Sequence, residues 1–333
     1  IFHFANKTGV RKKMNKVTIV IPNWNGKKYL KKCLDSLMCQ SIGQVPVIVV
    51  DNGSEDGSPE LLKKEYPWVQ LICMDQNYGF CRAVNTGIQA AETEYVVLLN
   101  NDIVTDKDFV KYLLLRAEAN PRLFSCQSKM LQMDRTDHID NAGDEYCALG
   151  WAYTRGKDAD AGYFDKAEQI FSSCGGAALY RKTVFEQIGL FDEAHFAYLE
   201  DVDIGYRAKI CGYENWYEPK SVVYHKGSAA TGSRHNAFKV FHASRNNIYL
   251  IYKNMARWQI LINLPFLFLG CVIKFLYFLP KKLGHIYLKG LWQGVLLSRK
   301  GDKFVYIPEN FDRCWSIQIT LWRNMIKILL KQK

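Results

Sequence analysis

The sequence predicts an α/β protein: a mixed, mostly parallel sheet with helices on both faces, followed by a helical C-terminal region. Two observations carry the first part. Strand-like and helix-like runs alternate four times at short spacing before residue 131, the pattern of a sheet crossed by helices on both sides. Polar or acidic turns also close the strands, where α/β proteins place their ligand crevice. The third observation is a change of texture from Trp258 onward, to long Leu, Ile and Phe runs with basic flanks.

Val17-Thr18-Ile19-Val20-Ile21-Pro22 is too continuously apolar for a half-exposed strand and reads as a buried one. After the turn Asn23-Trp24-Asn25-Gly26, Leu30, Cys33, Leu34, Leu37 and Met38 recur at the spacing of one buried helix face. A strand over 45–50 runs into the polar loop 51–58, and Ser58-Pro59 starts a helix over 59–66 as N-cap and first position. Strand 69–74, helix 80–90, strand 95–99, helix 106–119 and strand 123–131 complete the series. Asp51, the loop 75–78 and Asp102 fall at strand C-terminal ends. A glycine fingerprint for dinucleotides is absent after the first strand, and no P-loop occurs, which excludes those two classes.

Residues 132–170 are less regular and read either as a substrate-facing insertion or as an ordinary crossover, with Trp151 in the core or stacked on a sugar. Gly175-Gly176 permits close backbone approach, and a helix over 181–188 precedes the run Leu199-Glu200-Asp201-Val202-Asp203. Carboxylates at a helix start can be plain caps. Here they accompany Asp51, Asp102 and His225, each at an element boundary, which is how an α/β enzyme gathers a base and metal ligands around one cleft. Asp203 is expected to pair with Arg207 four residues on. His195 and His235 are less clearly placed; His235 follows Arg234 in a polar loop that could approach a diphosphate.

The net charge of +11 is unevenly spread: residues 239–333 hold 16 Lys/Arg against three acids, leaving the rest near −2. A basic surface therefore belongs to the C-terminal part. The ten cysteines are scattered, and their setting suggests reduced thiols in a cytosol. The basic stretch 1–13 reads as an upstream segment, native or artificial, with Met14 a plausible start. Three readings stay open for residues 260–279: an in-plane membrane segment, a spanning helix, or a buried or dimer-forming helix. Pro265, Asn263 and Lys274 favour the first.

Ile21-Pro22-Asn23-Trp24-Asn25-Gly26, Val50-Asp51-Asn52-Gly53-Ser54, Asn77-Tyr78-Gly79-Phe80 and Leu98-Leu99-Asn100-Asn101-Asp102 occur in an order that resembles family 2 glycosyltransferases of the GT-A fold. Gly175-Gly176, the acidic run, His225 and Ser244-Arg245-Asn246-Asn247 extend the likeness, which is nearest to the rhamnosyltransferase-like branch of bacterial cell-surface polysaccharide synthesis. The resemblance implies a GT-A domain over 14–236 and a basic, apolar, membrane-associating helical region over 237–333. It implies that Asp51 contacts the nucleobase with Pro22 and Asn23 lining the pocket, and that Asn77 and Arg82 lie near base or diphosphate. Asn100 and Asn101 would face the donor, Asp102 and His225 would hold Mg²⁺ or Mn²⁺, Asp201 would be the base and Glu200 would position it or the acceptor. Asn100 replaces the first carboxylate of the usual D-x-D motif, and an amide binds a hard cation more weakly.

The implied activity is inverting, non-processive transfer of a sugar from dTDP-rhamnose or a UDP-sugar to a polyprenyl-diphosphate-linked glycan. The setting would be the cytoplasmic face of the membrane, on an anionic surface, with no nucleic acid and with room for a homodimer. A processive synthase would bring a Q-x-x-R-W motif and several spans; a non-catalytic scaffold has only Asn100 in its favour.

Overall fold

The computed structural model describes residues 16–227, 236–304 and 306–330. Residues 1–13, Arg234 and His235 lie outside the described residues. The first strand, β1 (Val17–Asn23), pairs in parallel with β2 (Val47–Asn52) on one side and β4 (Tyr95–Leu99) on the other, and β2 carries β3 (Gln70–Met74) at the edge. The chain returns between them through α1 (Lys27–Met38), α2 (Ser58–Glu65) and α3 (Phe80–Ala90). Beyond β4 the sheet becomes mixed. Following β5 (Ile103–Thr105) and α4 (Phe109–Ala119), β6 (Leu123–Gln132) takes β7 (Arg135–Asn141) alongside, antiparallel. A hairpin, β8 (Asp144–Cys147) with β9 (Trp151–Thr154), stands off this sheet, and β10 (Glu168–Ile170) leads back to it. Next, β11 (Ala177–Arg181) slots antiparallel between β4 and β6; α5 (Lys182–Ile188) and α6 (Glu200–Ile210) follow. Last, β12 (Glu214–His225) runs parallel to β6.

Side chains alternate along each strand, so one strand feeds two cores. Ile19 and Ile21 join Leu30, Leu34 and Phe109 beneath α1 and α4. Val20 joins Val84, Phe185 and Ile204 beneath α3, α5 and α6.

Four helices follow: α7 (Ala237–Asn254), α8 (Arg257–Phe278), α9 (Gly284–Ser298) and α10 (Phe311–Leu329). They share a third core with the sheet domain, where Leu250, Leu267 and Leu321 meet Tyr146, Phe171, Val202 and Tyr206. Helix α8 is the one among the described residues long and apolar enough to cross a membrane, with mean hydropathy 2.0. Its polarity is inverted. Gln259 and Asn263 face inward, where Asn263 Nδ2 donates to Gln318 Oε1 on α10 at 2.8 Å and Gln318 Nε2 returns a bond to Asn263 Oδ1 at 2.9 Å. Leu261 and Phe268 face outward, each 70% exposed. On α9, Gly290 and Gly294 press against Ser244 and the Arg245 carbonyl of α7 so closely that a Cβ at either would clash, a small-residue face like those between membrane helices.

Candidate active site

At the C-terminal ends of β1, β2 and β4 the chain turns over a cavity of about 610 Å³. Its floor is Pro22, Asn23, Asn52 and Asn100–Asp102; the hairpin β8–β9 and the loop before α6 make its walls.

On the β1–β2 side, Asn23 Nδ2 donates to Asp51 Oδ1 at 2.8 Å, and the Ser54 N–H donates to Asp51 Oδ2 at 2.9 Å. Asp51 is thus 2% exposed and sits one layer behind Asn23. Asn101 Nδ2 donates to Asn23 Oδ1 at 2.7 Å, continuing the chain of amides across the floor. Asn77 lines the cavity, its Oδ1 accepting from Asn52 Nδ2 at 3.0 Å and from the Gly79 N–H at 2.9 Å. Arg82 does not join the lining: its guanidinium lies 4.4 Å from the Tyr78 ring centroid and 3.9 Å from Glu193.

The pairing of β12 with β5 sets His225 opposite Ile103 and so beside Asp102. His225 Nε2 is 3.3 Å from Asp102 Oδ1, and its Nδ1 is 2.7 Å from Asp140 Oδ2, with Lys157 closing on the same carboxylate. Burial opposes charge on this imidazole, but bonds to the two carboxylates outweigh it and carry the pKa up to about 9. Asn100 reaches this corner because Gly176 has no Cβ: one placed there would stand 3.1 Å from the Asn100 amide nitrogen.

Across the cavity, Glu200 and Asp201 open α6. The approach is strained: Phe196, Tyr198 and Leu199 all have positive φ, at 62°, 71° and 69°, costly for residues with bulky side chains. Asn246 on α7 holds the loop there, its Nδ2 lying 2.9, 2.9 and 2.7 Å from the carbonyls of His195, Ala197 and Tyr198. Arg245 Nη2 adds bonds to the carbonyls of Ala194 and His195. Asp201 Oδ2 accepts from the Gly175 N–H at 3.2 Å, whereas Glu200 Oε2 is buried with no hydrogen-bond partner among the described residues. Burial pushes both carboxyls up, and Asp201 pushes Glu200 further. Asp144 and Cys174 bring an oxygen and a sulfur within 4.8 Å of an Asp201 oxygen. The Cys174 thiol is driven well above its ordinary value by burial and by Asp201. Two corners of the cavity thus offer ligand atoms to a cation: two carboxylates and a thiol at Asp144, Cys174 and Asp201, and a carboxylate with an imidazole at Asp102 and His225; a hard cation favours the oxygen and nitrogen donors over the sulfur.

Asp203, one turn further, belongs to the scaffold. Arg207 Nη2 reaches its Oδ2 at 2.7 Å, Lys253 Nζ the same oxygen at 3.2 Å, and Asn254 Nδ2 its Oδ1 at 2.7 Å. Burial resists its charge, yet Arg207 and Lys253 outweigh that and hold the carboxyl well below the usual range. His195 is buried beneath the loop against Tyr249 and does not line the cavity. Trp151 is half-buried against α8, donating to the Gly270 carbonyl at 3.2 Å, and does not line the cavity.

Residues 18–189, just over half of the chain, match the family model described as Glycosyl transferase family 2. The chain is a family 2 glycosyltransferase. A similar curated protein is the N-acetylglucosaminyl-diphospho-decaprenol L-rhamnosyltransferase of Mycobacterium tuberculosis, 26% identical over 263 residues, spanning 72% of this chain and 86% of that one. The poly-beta-1,6-N-acetyl-D-glucosamine synthase of Staphylococcus epidermidis is 22% identical over 212 residues, 62% of this chain and 49% of its own length. Among solved structures, the mannosyltransferase PcManGT from Pyrobaculum calidifontis with GDP-Man and Mn²⁺ has a TM-score of 0.54 at 16% identity, covering 96% of this chain and 88% of that one. GalNAc-T7 with UDP, GalNAc and Mn²⁺ gives 0.58 at 14% identity, over 72% and 48%. These likenesses identify the fold of the glycosyltransferase as GT-A.

Sequence reasoning missed Asp140 and Asp144 in the glycosyltransferase, since each is a single acid in a polar, irregular stretch. It marked Arg245-Asn246 as part of the resemblance but not as the hold on the loop before α6.

Proposed function

We propose that this glycosyltransferase is an inverting, non-processive enzyme that moves rhamnose from dTDP-rhamnose to a polyprenyl-diphosphate-linked glycan in cell-surface polysaccharide synthesis. The observation that carries the reading is one cavity with Asp102 beside His225 on one wall and the half-buried Asp201 carboxyl on the other. The named activity of the mycobacterial relative supports the sugar and the lipid-linked acceptor.

In this reading the donor's base lies against Pro22 and Asn23 above Asp51, with Asn77 beside it. The residues present fit a hard divalent cation, Mg²⁺ or Mn²⁺. Asp102 and His225 would hold it: a separation of 3.3 Å between Oδ1 and Nε2 is near the span of two adjacent ligands at about 2.1 Å each. Asp140 would take the Nδ1–H and leave Nε2 free, the usual carboxylate support of a ligating histidine. When bound, the cation neutralises charge on the departing diphosphate. The Asp201 carboxylate accepts the proton of the attacking hydroxyl, contributing about 10²–10⁴-fold. That oxygen bonds to the anomeric carbon as the bond to the nucleoside diphosphate breaks, and a single displacement inverts the centre. Glu200 orients the acceptor. The outward apolar faces of α8, α9 and α10, with the basic excess of residues 239–333, seat the enzyme peripherally on the cytoplasmic face of an anionic membrane.

The test is transfer by the full chain with Mn²⁺ to a short polyprenyl-diphospho-N-acetylglucosamine, from dTDP-rhamnose and from UDP-glucose, UDP-galactose and UDP-N-acetylglucosamine. Product from dTDP-rhamnose, lost in Asp201→Asn, is the expected result. Product from a UDP-sugar instead overturns the choice of rhamnose and keeps the mechanism; no product from any donor overturns the acceptor class.

A further inference from the structure

We infer that Asp144 is a specificity-determining residue that grips the hydroxyl next to the one Asp201 deprotonates, so that the acceptor must present a vicinal diol. The inference rests on the acceptor reading above and names what that site requires of the sugar.

Three observations converge. Asp144 and Asp201 line the same cavity from opposite elements, the hairpin and the base helix, with carboxylate oxygens within 4.8 Å of each other. The oxygens of a vicinal diol are closer together than that, so each can bond to its own carboxyl. The hairpin also aims Asp144 into the cavity: Thr154 opposite it, and Ala152 and Tyr153 beyond, line the cavity, and Asn141 Nδ2 steadies Asp144 Oδ1 at 3.1 Å. Finally, the two carboxyls act on each other electrostatically. Burial, then the charge of Asp201, pushes Asp144 up to about 8. Burial raises Asp201 too, and two carboxyls this close can divide the work, an ionised Asp201 as base beside a neutral, hydrogen-bonding Asp144.

The groups around Asp144 reinforce that division. Glu200 and Asp201 bear on it electrostatically from α6, Cys174 and Tyr180 from the turn before β11 and β11 itself, and Glu145 from its own strand. Arg155, just beyond β9, is turned away onto Glu168 and the Ala142 carbonyl. A neutral Asp144 can donate to, or accept from, an acceptor hydroxyl; an ionised one adds a second negative charge beside the base.

The experiment uses the full chain, dTDP-rhamnose, polyprenyl-diphospho-N-acetylglucosamine and its 3-deoxy and 4-deoxy analogues. One analogue lacks the attacked hydroxyl and gives no product. The other is expected to lose about 10- to 100-fold in kcat/KM with the wild type, as when a site is left with an unmatched polar group. Asp144→Ala should show that loss on the full acceptor and no further loss on the second analogue. Asp144→Asn, neutral at every pH, should retain most activity and lack the wild-type fall above about pH 8. Equal further loss of Asp144→Ala on the deoxy acceptor overturns the inference, as does an unchanged alkaline limb in Asp144→Asn. A wild type that transfers to none of these acceptors overturns the acceptor reading and this inference with it.

Discussion

The parallel half of the sheet and the C-terminal helices solve burial in opposite ways. Around β1, β2 and β4 the interior is Val, Ile and Leu, and polar groups go to the rim. In α8 and α10 the interior holds Gln259, Asn263, Gln318 and Asn324, bonded to one another, to Trp322 and to the hairpin, while Leu261, Phe268, Trp315 and Ile319 face out. An apolar run is therefore not a core by itself; where it points depends on which surroundings the element meets. The exposed Leu and Phe of α8 form the sort of contiguous patch that marks a partner or membrane surface.

The seam between the two regions is where the comparison breaks most easily. Asp203 on α6 is tied to Lys253 and Asn254 on α7, so Asp203→Ala leaves Arg207 and Lys253 buried without their shared anion. Destabilisation of about 3–5 kcal/mol is expected, read by denaturant unfolding; because this carboxyl is held low, the stability it supplies is present above about pH 4 and lost as the pH falls. Next in size is Asn263→Leu. In an ordinary core, a leucine would be tolerated; here it orphans Gln318 and Trp322 and should cost about 1–3 kcal/mol. The outward face sharpens the contrast: Leu264→Ser with Phe268→Ser should leave the melting temperature within the effect of about 0.5 kcal/mol and lower co-sedimentation with phosphatidylglycerol vesicles. If instead the pair unfolds the protein, α8 is a conventional core helix.

Two smaller effects belong to the sheet half. Asp140→Asn removes the carboxylate behind His225 and should weaken Mn²⁺ binding by about 10- to 100-fold, measured by calorimetry. Asp201→Asn should raise thermal stability at pH 8 by about 2–4 °C for a gain near 1 kcal/mol. Asp201, Glu200 and Asp144 all titrate above their unfolded values near pH 4, so their ionisation destabilises the fold as the pH rises. The gain should shrink as the pH falls through about 4 and vanish well below it, where the unfolded carboxyl is protonated too.

What the sequence made legible was local and periodic. Strands β1, β2 and β4 and helices α1–α3 stand where apolar spacing and the Ser58-Pro59 start place them. Helix α4 begins at Phe109 and not at residue 106, because Asp106 and Asp108 turn the chain first. Asp102, His225, Glu200 and Asp201 announced themselves by standing at element ends. Asp140 and Asp144 did not, since their partners come from β12 and α6, remote in sequence. Asn246 shows the same limit: its three carbonyl partners lie 48–51 residues upstream, and no local pattern encodes such a contact. Arg82 was read from its neighbours in the sequence, yet stacking on Tyr78 draws it aside from the cavity.

The hairpin β8–β9 joins the two regions like a strut. Asp144 sits at one end beside the base, and Trp151, paired with Cys147, is bonded to α8 at the other. Three residue steps of antiparallel strand separate those ends, about 10 Å. If α8 rests on lipid as proposed, this rigid length would fix the height at which a hydroxyl can be activated, and the strut would gauge how far a glycan must stand from its membrane anchor to be extended.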